Sequence, residues 1–307
     1  LAETGQLVGS RGAYRLVAPV TGIQVPATVQ AILAARIDRL APEDKRLLQA
    51  AAVVGKDVPY ALLQSIAEMP EEHVRRALTE LQAAEFLYEV SLFPELEYTF
   101  KHALTHEVAY GSMLQERRRA LHARIMEAIE RGYPDRLAEQ VEPLAHHAFR
   151  AEVWDKALLY LRQAGEKSIG RSANREAIAA YQHALTAAAH LPETRETLEQ
   201  AIDLRVLLQY PLVALGEMER IFDYAREAEA LVQKLVDPLR RGWVSAFLCQ
   251  ACRNVGQFAE ALEHGQRALA IARELDDPRL AATANYYLGT THLYVGKYRQ
   301  AIQFLLR

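Results

Sequence analysis

The chain has 307 residues, half of them hydrophobic, and its 36 Lys and Arg against 39 Asp and Glu leave a formal net charge of −3. That near-balance gives no long-range pull towards nucleic acid or an anionic membrane, and the length suggests about two domains. The only two cysteines, Cys249 and Cys252, are too few for a secreted disulfide scaffold, and no apolar run approaches the roughly 20 residues of a membrane helix, so a cytoplasmic setting is expected.

Leu1 to Gly5 carry neither an initiating methionine nor a signal-peptide pattern, and the chain is expected to be cut from something longer. Residues 1–25 are glycine-rich around one β-like run, Ala13 to Val17, and read as the end of a preceding domain. Residues 26–111 form the next expected domain. Pro26 opens a helix whose Val29, Ile32, Leu33 and Ile37 share one face. Pro42, followed by Glu43 and Asp44, opens another that ends near Gly55, because Pro and acids suit a first turn. A short helix follows Pro59, and one after Pro70 carries the stripe Val74, Leu78 and Leu81. The period then changes from 3.6 to 2. Phe86–Val90 and Leu96–Phe100 read as strands on either side of Pro94, and helix returns at His102. Three helices followed by a β-hairpin is the order of a winged helix. From Ser112 onward only helical periodicity is seen: linking helices over 112–143, then repeats over 144–307.

The repeats are read from recurring small residues and turns. Leu288-Gly289, Gly296-Lys297-Tyr298 and Ala301 form the strongest unit. Leu248-Cys249, Gly256-Gln257-Phe258, Ala261 and Ala268 form an earlier copy, and Leu208, Gly216-Glu217-Met218 and Ala228 a weaker one. Two more begin at Trp154 and Asn174. A small residue lets two helices approach, the glycine makes the turn and the aromatic fills the space between pairs. Each pair leaves an apolar face open, so pairs must stack. The positions Ala157, Ala177, Ile221, Ala261 and Ala301 are unevenly spaced, which marks a degenerate array, and Arg307 falls inside the second helix of the last pair. The expected fold is mostly α: a winged-helix-like domain with a small two-stranded wing, then an α-solenoid of tetratricopeptide-like helix pairs.

Motifs for catalysis are missing. Gly55-Lys56 is not a phosphate loop, since Ala50 and Asp57 stand where glycine and a hydroxyl residue are needed. Cys249 and Cys252 form a lone CxxC at a small-residue position of a helix, which suits packing better than redox or metal work. His102 and His106 share a helix face without a third ligand. The adjacent His146 and His147 are expected to point apart as ordinary helix residues. No metal site and no cofactor are expected within the chain.

Ile23 to Leu48, Ala51 to Lys56, Tyr98 to Ser112 and Arg117 to His122 together resemble bacterial signal-transduction ATPases. They are most similar to the region after the ATPase core in multidomain class III adenylate/guanylate cyclases, which carry a cyclase domain, a STAND-type AAA ATPase and a tetratricopeptide tail. The resemblance implies ATP or ADP and magnesium for the parent protein, and an intramolecular ATPase core as one partner of the winged helix. In such ATPases a Met-His-Asp-Leu histidine contacts the β-phosphate of ADP. Lys101-His102-Ala103-Leu104 matches at His102 and Leu104 and departs at Lys101 and Ala103. The alternative is a histidine packed at the start of its helix. A STAND-type transcription regulator, with its DNA reader outside this chain, is the rival architecture.

In stacked helix pairs the first helix of each pair lines the concave face. Counting back from Gly256 and Gly296 assigns Trp243, Gln250, Arg253, Asn254, Tyr286, Thr290 and Tyr294 to a groove for a protein or peptide partner. Aromatic rings supply contact area and the amides can bond an extended backbone. Alternatively, Trp243 and Tyr286 pack against the next repeat.

From Pro42 to Tyr110 there are 6 Lys and Arg against 12 Asp and Glu, a net charge of −6. A groove reader needs the opposite sign to displace counterions from DNA. An anisotropy titration of the purified chain at physiological salt is therefore expected to show no duplex binding. Salt-dependent binding in the micromolar range would refute that.

Overall fold

The computed structural model describes residues 7–8, 15–16, 27–91 and 96–306. The chain divides into two compact units, Leu1–Leu114 and Gln115–Arg307. None of the described helices is long and apolar enough to cross a membrane.

In the first unit, β1 (Leu7–Val8) pairs antiparallel with β2 (Arg15–Leu16). The rest of the expected run at Ala13 to Val17 lies outside the described residues, as do Pro26 and Pro94. In α1 (Ala27–Asp38) the expected buried face does not form: Val29 and Ile32 are exposed and only Ile37 is fully buried. The last turn makes the attachment instead. Arg36 donates to the Ala84 carbonyl at 2.8 Å and its guanidinium lies 5.0 Å from the Phe86 ring centroid.

The core of this unit is α2 (Pro42–Val54), begun by Pro42 with Glu43 and Asp44 in the first turn. It buries Leu47, Leu48 and Ala50 to Val53, and is closed by Gly55 at φ 142°. Gly55 is thus a helix cap, and its N–H donates to Ala51. Against α2 packs α4 (Glu71–Ala83), which buries Val74, Ala77, Leu78 and Leu81. Each buried large aliphatic side chain contributes about 1.5–3 kcal/mol. A short α3 (Tyr60–Ile66) connects them, and α5 (Ala103–Gly111) follows the sheet and also packs on α2.

The expected two-stranded wing has three strands: β3 (Asp57–Pro59), β4 (Leu87–Ser91) and β5 (Glu97–Phe100), in the order β3-β5-β4, all antiparallel. β3 is too short to show a period of two, and Gly55-Lys56 ahead of it reads as punctuation. Pairing fixes it: Val58 stands opposite Tyr98, and the Thr99 hydroxyl donates to the Lys56 carbonyl at 3.2 Å.

The second unit is helical throughout its described residues. It comprises α6 (Gln115–Gly132), α7 (Val141–Ala151), α8 (Trp154–Gly170), α9 (Asn174–Ala189), α10 (Arg195–Leu207), α11 (Gln209–Leu215), α12 (Met218–Val232), α13 (Pro238–Asn254), α14 (Phe258–Glu274), α15 (Pro278–Tyr294) and α16 (Tyr298–Leu305). α6, expected among linking helices, packs on α7 and belongs to this stack. α10 and α11 are one helix interrupted at Leu208. Pro211 has no N–H to offer the Leu207 carbonyl, so the ladder breaks there.

From Met218 onward the array is regular rather than degenerate: helices start at Met218, Pro238, Phe258, Pro278 and Tyr298, one every 20 residues. Two alternating devices set the period. Pro238 and Pro278 open helices behind Asp237 and Asp277, whose carboxylates accept from Arg240 N–H at 2.9 Å and Leu280 N–H at 2.8 Å. The turns within pairs place Gly216, Gly256 and Gly296 at φ 75–81°. There the N–H of Gln257 closes onto Cys252 at 2.8 Å and that of Lys297 onto His292 at 2.9 Å.

Small residues set the spacing between helices. A Cβ added at Gly165 would stand 2.3 Å from the fully buried Tyr181 ring. Gly165→Ala is therefore expected to lower the thermal midpoint, at a cost of about 1–3 kcal/mol. Gly170→Ala meets nothing within 4 Å and is expected to be neutral or slightly stabilising. Parallel melts followed by circular dichroism compare them, and equal effects would refute the close-approach account.

Candidate functional site

The first helices of successive pairs carry the candidate site. α13 packs against its own partner α14 and also against the next first helix, α15, so these helices form one layer. Within that layer the seven expected groove residues fall into two places.

Arg253, Asn254, Thr290 and Tyr294 form one group. The Arg253 guanidinium donates to the Thr290 hydroxyl and, at 3.2 Å, to Asn254 Oδ1. It also lies 5.6 Å from the Tyr294 ring centroid and 5.9 Å from that of Tyr287. Arg253 thus ties α13 to α15. Tyr286 packs beside Tyr287 with ring centroids 5.6 Å apart. Tyr287 is half-buried, and burial pushes its phenol up to about 12. By contrast Tyr286 is 57% exposed and Tyr294 70% exposed, so neither is core. Gln250 is half-buried, and its Oε1 is buried without a hydrogen-bond partner.

Trp243 stands apart from that group. It packs against the cluster of Ala246, Leu280 and Ala284, as the packing alternative requires, and it also lines a pocket of about 320 Å3. Ile202, Val206, Leu207 and Val244 supply the pocket's apolar wall. Its polar wall is Arg240, which bonds Asp203 and reaches Glu199 at 3.3 Å and Asp237 at 3.4 Å, with Arg162 alongside. Burial pushes the Asp203 carboxyl above its ordinary range, against the pull of Arg240. The pocket thus joins α8, α10 and α13, three helices in the positions of first helices.

Sequence reasoning missed Arg162, Asp203, Val206, Tyr210 and Arg240. For some the signal was present. Counting back from Gly216 with the same intervals reaches Asp203, Tyr210 and Val213, and the last two are exposed on this layer at 60% and 40%. Arg162 carries no such signal, because the step from Ala177 to Ile221 is longer than the later ones.

The remaining singled-out residues resolve as follows. His102 is exposed at the N-terminal boundary of α5, not packed there, and makes no capping bond. Its neighbour Lys101 pairs with Glu85 at 2.9 Å. Cys252, Glu260 and His264 bring ligand atoms within 4.8 Å of one another, but the Arg226 guanidinium already bonds Glu260 and, at 3.1 Å, Glu229. His146 and His147, expected to point apart, both meet His122, with ring centroids 5.7 and 5.1 Å away. The rotation between neighbours on a helix does not separate them because the third ring comes from another helix.

Repeating helix pairs joined by small residues define a mostly helical, tetratricopeptide-like array, and the Tetratricopeptide repeat family matches residues 243–307. Over 213 residues the chain is 28% identical to an uncharacterised protein of Rhizobium meliloti (strain 1021), covering 69% of this chain and 20% of that one. The chain therefore spans about a fifth of the length of the curated relative it matches. Among solved structures, the apo form of RapI aligns over 80% of this chain and 62% of its own, at 12% identity and a TM-score of 0.47. A STAND protein with a tetratricopeptide repeat sensor from Pyrococcus horikoshii aligns over 92% and 52%, at 14% identity and a TM-score of 0.29. Likeness of that depth leaves function to the chain's own residues.

Cys249 and Cys252 are buried against Ala261, Phe222 and Tyr287, and burial pushes their thiols up to about 11 and about 12. Both are thus packing residues with little thiolate near neutral pH. The native chain is expected to leave both unreacted with a thiol-exchange reagent over a time in which the urea-unfolded chain reacts completely. Fast reaction of either in the native chain would restore the redox reading.

Proposed function

We propose that this chain is a regulatory and scaffolding segment, not a catalytic one, and that its first-helix layer is the concave face that captures an extended protein segment. The observation that carries this is the run of exposed aromatic side chains, Tyr210, Tyr286 and Tyr294, on the layer that also holds the Trp243 pocket. Contiguous exposed apolar surface on a monomer often marks an interaction site. The rings offer contact area at small entropy cost. Arg240 is already matched by carboxylates and Arg253 by Thr290 and Asn254, so the face suits an apolar or aromatic anchor rather than a terminal carboxylate.

The wider setting rests on the sequence resemblance: a cytoplasmic, cyclase-linked STAND-type ATPase. In that reading the first unit is a winged helix that docks on an ATPase core, and the order helix, strand, two helices and two strands from α2 to β5 supports it. ATP or ADP and magnesium belong to that core. In that reading His102, exposed at the start of α5, would meet the β-phosphate of ADP. The alternative, a transcription regulator of the same build, places its DNA reader outside this chain.

A test needs no knowledge of the natural partner. Peptides selected from a random display library against the chain are expected to carry an aromatic or aliphatic anchor. Tyr286→Ala with Tyr294→Ala is expected to weaken them by roughly tenfold or more in anisotropy titrations, with an unchanged melting midpoint, because both rings are exposed. Peptides that bind the double variant as tightly as the native chain would place the binding face elsewhere.

A further inference from the structure

Three histidines converge between α6 and α7. His122 comes from α6, and His146 and His147 are consecutive on α7. The Nδ1 atoms of His122 and His147 are 2.8 Å apart. One ligand nitrogen from each of the three rings lies within 4.8 Å of the others. His122 and His147 are buried at 1% and 4% exposure, whereas His146 is at the surface.

We propose that His122, His146 and His147 form a binding site for one late first-row divalent transition ion, zinc foremost, entered from the surface beside His146. The donor chemistry points there. Three imidazoles and no carboxylate select zinc, cobalt, nickel or copper over magnesium or calcium, which need oxygen ligands. A metal needs an unprotonated ligand nitrogen, and the 2.8 Å contact between the two Nδ1 atoms already requires one of them to carry no hydrogen. The surroundings argue against ordinary core packing. The two inner rings lie on a stripe otherwise made of Leu121, Ile125, Leu144 and Ala148, where aliphatic side chains would bury without a polar cost.

The proton balance is simple. Without metal, the two neutral inner rings share one hydrogen bond, so one Nδ1 carries hydrogen and the other accepts. On binding, that hydrogen moves to Nε2 of the same ring. Both Nδ1 lone pairs then face the ion, both rings stay neutral and no net proton is released. Tetrahedral zinc with bonds of about 2.0–2.1 Å sets its ligand atoms roughly 3.4 Å apart, so the Nδ1 atoms part by well under an ångström. The fourth position is left for water on the His146 side.

The test is a cobalt titration of the chelator-stripped full chain, followed by visible d–d bands, then displacement by zinc. The expected result is one equivalent bound at micromolar or tighter affinity. His146→Ala, a surface change, is expected to weaken it by roughly tenfold or more with unchanged circular dichroism. His122→Gln and His147→Gln should abolish it, and if either unfolds, His146→Ala still decides. Cys252→Ser should leave it intact, which separates this site from the Cys252, Glu260 and His264 group. No uptake at sub-millimolar metal, bands that survive His146→Ala, or bands lost in Cys252→Ser would each overturn the assignment and leave a hydrogen-bonded histidine pair as the whole story.

Discussion

Two helix backbones can approach closely only where the side chains between them are small. In the second unit the 17-residue helices α13, α14 and α15 satisfy this with Gly242, Ala246, Cys249, Gly265, Ala268 and Gly289. A Cβ at Gly289 would meet Leu305 at 2.6 Å and the Ala301 carbonyl at 3.2 Å. Such contacts leave no slack, so the position of each helix is dictated by its neighbour. The cost is that no pair covers its own apolar surface. Leu280 and Leu288 are buried in one cluster with Ala246, Ala268 and Leu269 of the preceding pair. Stability is accordingly shared along the stack, as expected for a one-dimensional array.

Once stacking sets the helix order, it also sorts the polar residues. Those between helices become internal ties: Lys156 and Tyr160 on Glu130, each at 2.6 Å, Arg226 on Glu260, and Arg240 on Glu199 and Asp203. Partly exposed pairs of this kind contribute about 0–1 kcal/mol each, and their effect is more on register than on stability. Tyr210, Tyr286 and Tyr294 on the first-helix layer stay exposed while these ties form.

The first unit is built on a different constraint. A single short helix, α2, is buried along most of its length, and α3, α4, α5 and the three-stranded sheet are arranged around it. Gln49 is the one polar side chain buried on α2, and it donates to the Ser112 hydroxyl at 2.9 Å, which ties the helix to the end of α5. Between Pro42 and Tyr110 this unit carries 12 Asp and Glu against 6 Lys and Arg, and His102 is exposed at the start of α5.

Much of this was legible in the residues alone, because local chemistry determined it. The stripe Val74, Leu78 and Leu81, the strands around Tyr88 and Tyr98, the helix opened by Pro42, and the glycine turns at Gly216, Gly256 and Gly296 all follow from periodicity, missing Cβ atoms and missing N–H groups. The small-residue register also puts Arg253, Asn254, Thr290 and Tyr294 on one layer. Other features were decided only by tertiary structure. The strand Asp57–Pro59 is too short to have a period and exists because β5 pairs with it. Val29 and Ile32 share a face that this unit does not cover, since periodicity shows which face is apolar but not whether something lies against it. The Trp243 pocket needs α8, α10 and α13 together, and Arg162 enters it across an irregular step that no repeat count can bridge. The meeting of His122 with His146 and His147 is the clearest case: neighbours on one helix diverge by rotation, and only a second helix docked at the right height brings a third ring between them.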